Sequence, residues 1–233
     1  MITLMENGKE SQNISQKVGL SARPSPEVYD KRPNESWDYF ILRKMKEERM
    51  ETPEHLGGHM NKVHTDRGTL VYLINKFNIQ SFLDIGCGPG WMVEIAKDRG
   101  LRALGIDGDF NLQEEWKNRY ISVLEHDFTK GKIDTDITDF DLAWSVEFLE
   151  HVDEEYMPNY MDAFKRCKYA VVTAAPPGHG GHHHVNEQTP EYWIETFAKY
   201  GFKYDAETTE EIKQTSSMKK PFMQKNALFF VRN

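Results

Sequence analysis

Cysteine is scarce in this chain: Cys87 and Cys167 are the only two in 233 residues. Two thiols make no disulfide framework and no CxxC metal knot, so a reducing compartment and a cytoplasmic location are expected. Long apolar runs are missing as well. No stretch approaches the ~18 residues of a membrane span, and the first thirty residues lack the basic start and apolar stretch of a signal peptide. No membrane partner is expected. Positive charge is in deficit, with 29 Lys and Arg against 37 Asp and Glu and a net charge of −8. A protein that binds duplex nucleic acid presents a basic face. No basic run is found here, so no duplex nucleic acid partner is expected. Internal repeats and low-complexity segments are absent too.

What the chain does contain is enough apolar material for a sizeable core. The hydrophobic fraction is 39%, with five Trp, ten Tyr and thirteen Phe. The length suits one domain with attachments, or at most two small domains. Residues 1–34 are polar, carry Pro24, Pro26 and Pro33, and read as a tail or arm. In 35–50, Trp37, Phe40, Ile41 and Met45 approximate a helical stripe. The stretch "TPEHLGGHMNKVHTDRG" reads as a loop beside a site or a plain linker, and "DRGTLVYLINKFN" as a helix. Together, 35–78 make an N-terminal helical cap, and 79–233 the main domain.

From Ser81 strands and helices alternate. Strands are expected at 81–85, 102–106, 121–125, around 140–145 and at 169–175. Helices are expected at 91–99, near 111–117 and near 157–167. "TPEYWIETFAKYGF" is a punctuated helix, with Thr189 as cap, Pro190 in the first turn and Gly201 at the stop. "FKYDAE" and "NALFFVRN" are the final strands, with a polar loop over 208–225 between them. Alternation of this kind implies an α/β fold with a mostly parallel sheet covered on both faces.

In such a sheet the ligand crevice lies beyond the carboxyl ends of the strands. The first strand ends at Ile85, so Gly86, Cys87, Gly88, Pro89 and Gly90 line it. Glycine there admits positive φ and close approach of a ligand to the backbone, and the free N–H groups of the following helix point to the same place. The spacing is GxGxG with Asp84 two positions ahead. No GK[ST] follows, which excludes a P-loop, and Trp91 occupies the sixth position, where the dinucleotide fingerprint needs its third glycine.

"LDIGCGPG" resembles the first motif of the class I S-adenosylmethionine (SAM) dependent methyltransferases, and the resemblance continues through 81–175 and more loosely to the C-terminus. It implies a Rossmann-like three-layer sandwich whose seventh strand, "NALFFVRN", runs antiparallel. It implies SAM as donor and S-adenosylhomocysteine as product. On the matching positions, Asp84, Gly86, Cys87, Gly88 and Gly90 wrap the methionine end. An acidic residue suits the ammonium, directly or through water. Asp107, in "ALGIDGD", would take the ribose hydroxyls. Asp127, in "VLEHDF", would take the adenine amino group, with Phe128 packing on the ring. The plain alternatives are a helix cap for Asp107 and a turn residue for Asp127. Ser145, at the end of the fourth strand, completes the expected cofactor set.

The acceptor belongs beside the ends of strands four and five. "WSVEFLEHV" brings Glu147, Glu150 and His151 within five positions, on one face if the chain is helical there. His151 is a candidate base or pocket wall; the alternative is acids at a helix N-terminus with His151 structural. Ser145-Val146-Glu147 stands where base amino-methyltransferases carry Asn/Asp-Pro-Pro-aromatic, which argues against an exocyclic amine acceptor. After strand five, "APPGHGGHHHVNEQ" holds His179, His182, His183 and His184 among mobile glycines. His182, His183 and His184 join His151 as catalytic candidates, since neutral imidazole can take a proton from a hydroxyl. A structural loop is the second reading. A divalent ion held with Glu187 or Glu147 is the third, and adjacent histidines do not easily face one ion, so no metal is assigned. His55, His59 and His64 precede the first strand, where relatives carry a cover.

The expectation is therefore a SAM-dependent methyltransferase acting on a small-molecule acceptor, at a hydroxyl oxygen. Its rivals are a methyltransferase for protein or RNA, marked by a basic groove; a SAM-binding module without catalysis; and a nicotinamide-dependent oxidoreductase, weakened by Trp91.

Overall fold

A computed structural model describes residues 52–57, 64–135, 137 and 139–233. The arm expected over 1–34, the helix over 35–50, and His59 lie outside the described residues. Within the unit Met50–Asn233, the strands are β1 (Ser81–Ile85), β2 (Arg102–Asp107), β3 (Val123–Glu125), β4 (Phe140–Val146), β5 (Cys167–Thr173), β6 (Phe202–Tyr204) and β7 (Leu228–Arg232). They form one sheet in the order β3-β2-β1-β4-β5-β7-β6. The first five are parallel, and β7 runs antiparallel to both β5 and β6. The strand order reverses between β1 and β4, which places a crevice at their carboxyl ends.

The helices are α1 (Arg67–Phe77), α2 (Trp91–Asp98), α3 (Gln113–Asn118), α4 (Met157–Phe164), α5 (Pro190–Lys199), α6 (Ala206–Thr215) and α7 (Phe222–Asn226). Side chains alternate across the sheet with period two. Phe82, Leu142 and Val171 face one layer, where Leu70 and Leu73 of α1, Met92 of α2, Ile212 of α6 and Met223 of α7 join them. Leu83, Ala143 and Val172 face the other, with Met161 and Phe164 of α4 and Trp193 and Phe197 of α5. Both faces are covered, so β1 is buried along its whole length. Full burial of each large apolar side chain contributes about 1.5–3 kcal/mol.

Asp66 caps α1 and does more. Its carboxylate accepts from Thr69 N–H at 3.0 Å and Thr69 Oγ1 at 2.8 Å, and from Ser217 N–H at 2.9 Å and the Ser216 hydroxyl. The buried carboxylate thereby ties α1 to the chain leaving α6. Thr189 caps α5 by accepting from Tyr192 N–H at 3.3 Å, with Pro190 in the first turn and Gly201 beyond the end at φ 88°.

Two expectations are corrected. The polar loop expected over 208–225 contains most of α6 and most of α7, because Thr208, Thr209, Ile212 and Met223 turn inward on otherwise polar helices. The helix expected to 167 stops at Phe164, and Cys167 already begins β5. Among the described residues no helix is long and apolar enough to cross a membrane.

Candidate active site

The chain leaving β1 turns through Gly86, Gly88 and Gly90, all at positive φ. Gly86 sits against an aromatic ring. At φ 75° a Cβ would lie 2.3 Å from the Phe148 ring, so both conformation and space demand glycine. Gly86 N–H and Cys87 N–H donate to the Ile106 carbonyl at 2.9 and 3.1 Å. Gly88 is braced twice: its N–H donates to Asp107 Oδ2 at 2.6 Å, and its carbonyl accepts from Trp116 Nε1 at 2.9 Å. Gly90 then opens α2 with no side-chain cap, leaving the first-turn N–H groups for another acceptor.

A cavity of about 680 Å³ lies over this turn. Asp84, Gly86, Cys87, Gly88 and Asp107 line one end, with Asp127 and Phe128 beside them. Asp84 is 4% exposed, and burial first, then repulsion from Asp107, pushes its carboxyl well above the usual carboxylate range. Two acids facing one cavity favour a cation between them. Asp127 stands on the next loop. Its Oδ1 accepts from Thr129 N–H at 2.9 Å, and His55 Nε2 lies 3.1 Å from Oδ2. Burial works against ionisation of Asp127, but the bonds from Thr129 and His55 outweigh it and hold the group low. Asp127 is thus also the turn residue that the sequence left as its alternative. Phe128 packs edge-on to Phe148 and Tyr160. Two expected cofactor residues stand off the cavity wall. Ser145 donates its hydroxyl to the Ile85 carbonyl at 2.9 Å, joining β4 to β1, and a Cβ at Gly90 would meet Ile121 at 2.2 Å.

Beyond β4 the chain is not helical across Glu147, Glu150 and His151 as one face. Glu147 takes a left-handed conformation, φ 53°, and only Leu149–His151 form a 3₁₀ turn. Glu147 is held by Thr173, whose hydroxyl donates to Oε1 at 2.8 Å. Glu150 is completely buried, and its Oε1 accepts from Ala175 N–H at 3.2 Å. Burial, then repulsion from Glu147, raises its carboxyl to about 8. His151 is pushed down to about 4 by burial and by His184, so its imidazole is neutral at pH 7.

The histidine loop folds back onto this turn. The Glu150 carbonyl accepts from Val185 N–H at 2.9 Å and Asn186 N–H at 3.0 Å, which sets His184 against His151, ring centroids 4.8 Å apart. Glu187 organises the loop by accepting from Gly178 N–H, Gly180 N–H and His184 Nδ1, each at 2.7 Å. His182 Nε2 lies 2.8 Å from the Glu54 carbonyl, joining two lips of the cavity. His151, His182, His183 and His184 all line the cavity. Among the described residues, Glu150, His151 and His184 are the group whose ligand atoms lie close enough for an ion, within 4.8 Å of one another. The sequence did not single out Phe148, Lys219 or Lys220 as cavity residues. Phe148 was signalled by an aromatic two residues past a strand end; the lysine pair carried no signal beyond a polar loop.

Residues 83–170 match the family model described as a methyltransferase domain. Residues 83–170 therefore carry a methyltransferase domain. Solved structures agree in fold with this methyltransferase. A magnesium protoporphyrin IX methyltransferase (ChlM) from Synechocystis PCC 6803 with bound S-adenosylhomocysteine is 14% identical, with 85% of this chain and 96% of that chain covered and a TM-score of 0.54. A TehB-like SAM-dependent methyltransferase from Corynebacterium glutamicum is 19% identical, with 72% and 90% covered and a TM-score of 0.53. The methyltransferase domain of a bacterial CtHen1 is 20% identical, with 71% and 96% covered and a TM-score of 0.52. No curated protein matches this sequence.

Proposed function

We propose that this methyltransferase acts on a small molecule and delivers the methyl group to a hydroxyl oxygen. One observation carries the reading: a single cavity of about 680 Å³ has the glycine turn and its acids at one end and the imidazole loop at the other. That size is typical of sites for small molecules. At the donor end Asp84 would hold the ammonium, Asp107 the ribose hydroxyls, and Asp127 with Phe128 the adenine. The first-turn N–H groups of α2 suit the carboxylate. SAM supplies a methyl group on a positively charged sulfur, and the two acids supply the compensating field.

At the other end the chain's work is orientation and proton handling. His151, held neutral and low, serves as a wall rather than as a base. His182 is engaged with the Glu54 carbonyl and helps close the site. The polar groups gathered around the acceptor, Glu147, Glu150, His183 and His184, suit an O–H group better than an apolar carbon. A protein or RNA acceptor finds less support. Among the described residues, Lys219 and Lys220 are the only Lys or Arg on the cavity wall, which is no groove for a polyanion.

The test is incubation with methyl-labelled SAM and fractionated, hydroxyl-rich metabolites. Label in a small product as an O-methyl group supports the reading. Label only in protein or RNA, at nitrogen or carbon, or in no fraction, overturns it.

A further inference from the structure

We infer that Glu150, His151 and His184 form a binding site for one divalent transition-metal ion at the acceptor end of the cavity, with an open position for an acceptor oxygen. The open position rests on the small-molecule reading; the ion site does not.

Three observations converge. The first is the donor set. One carboxylate and two imidazoles, with ligand atoms mutually within 4.8 Å, are the ligands of catalytic sites that leave a coordination position free. A tetrahedral ion about 2.1 Å from each would bring these atoms to roughly 3.4 Å, a closure of the order of an ångström that side-chain torsions can supply.

The second is an orphan. Glu150 Oε2 is shut off from solvent and has no hydrogen-bond partner, although the other oxygen is bonded to Ala175 N–H. A buried carboxylate oxygen without a partner is costly. Protonation does not resolve it, because no acceptor stands at that atom. A cation does.

The third is the shell behind the ligands. Glu187 accepts from His184 Nδ1 at 2.7 Å, and from the Gly178 and Gly180 N–H groups at the same distance. Nδ1 therefore carries the proton, and Nε2 keeps its lone pair for a ligand. A carboxylate behind a ligating imidazole fixes tautomer and ring orientation in metal sites. Placement of the ring does not depend on side chains alone. Both bonds from Val185 N–H and Asn186 N–H end on the carbonyl of Glu150 itself, so one ligand residue positions the strand of chain that carries another. Gly181 completes the fit: a Cβ there would lie 2.3 Å from His184 Nε2.

The full chain is loaded separately with Mn²⁺, Co²⁺ and Zn²⁺, desalted, and assayed for metal per chain, without acceptor. One ion per chain with at least one of the three is expected, and Co²⁺ should show the ligand-field absorption of a mixed nitrogen–oxygen site. Glu150→Gln, His151→Gln and His184→Gln should each weaken binding at least tenfold while SAM binding persists. Should a ligand variant fail to fold, Glu187→Gln, which leaves all three ligands in place, should still lower affinity tenfold or more. Substoichiometric binding of all three ions, or variants that bind like the parent, would overturn the site. Undiminished O-methylation by metal-stripped protein would overturn the open position. An ion bound stoichiometrically by protein that methylates no small molecule would leave the site standing and sink the acceptor reading instead.

Discussion

Asp84 is placed where ionisation is costly. Burial and Asp107 both raise its carboxyl, so the folded state favours the neutral form. The sign follows from linkage: the unfolded chain releases this proton near pH 4 and the folded chain later, so stability falls as pH rises between the two. Asp84→Asn removes that titration. In ligand-free protein its thermal midpoint should match or exceed the parent's, by a margin that grows from pH 4 toward pH 8. Saturating SAM should reverse the order, because the cation is what the carboxylate compensates. Scanning calorimetry of both proteins at several pH values checks this; a constant difference across the range would refute it. Asp84 was legible in the sequence because strand, acid and glycines are contiguous there. The orphaned oxygen of Glu150 was not, since its solitude depends on Ala175, Val185 and Asn186 all closing around it.

Among the elements, α1 shows how much can hang on a single cap. Asp66 satisfies α1 and also the backbone and hydroxyls of Ser216 and Ser217 across the molecule. Asp66→Ala removes a cap, worth about 1 kcal/mol, and cuts the hydrogen bonds to half-buried Ser216 and exposed Ser217 across the molecule, each contributing about 0.5–1.5 kcal/mol. Denaturant unfolding should show a loss of about 2–4 kcal/mol; a loss confined to the cap alone would mean that the long-range bonds contribute nothing. Elements with strong local signals were readable, namely β1, β2, β4, α5 and the antiparallel β7. The weak ones were not. α6 reads "AETTEEIKQT", and its inward face is made by two threonines and one isoleucine, a stripe that composition does not distinguish from a polar loop. Glu147 was misjudged for a different reason. A left-handed glutamate at a strand end is imposed by Thr173 on the neighbouring strand, and no local pattern announces it.

At the scale of the whole molecule, the two ends of the cavity differ in how they are built. The end over the glycine turn rests on residues at the ends of β1, β2 and β3, and its order along the chain is its order in space. The histidine-lined end is assembled from the turn after β4, the loop after β5 and the 3₁₀ turn Glu54–Leu56, which only the tertiary fold brings together. SAM binding should stabilise the native state as a unit. At a hundredfold excess over Kd the gain is about 2.7 kcal/mol, which for a chain of this length should raise the thermal midpoint by about 5–10 °C. Nicotinamide nucleotides should leave it unmoved; a shift with them and none with SAM would contradict the donor assignment.

The two main-chain bonds onto the Glu150 carbonyl carry a last implication. Because peptide groups rather than side chains clamp the histidine segment, neighbouring positions on it are free to diverge without displacing the clamp. Evolution, or an engineer, can retune what that end of the cavity admits by exchanging residues along the rim, while the glycine turn at the other end goes untouched.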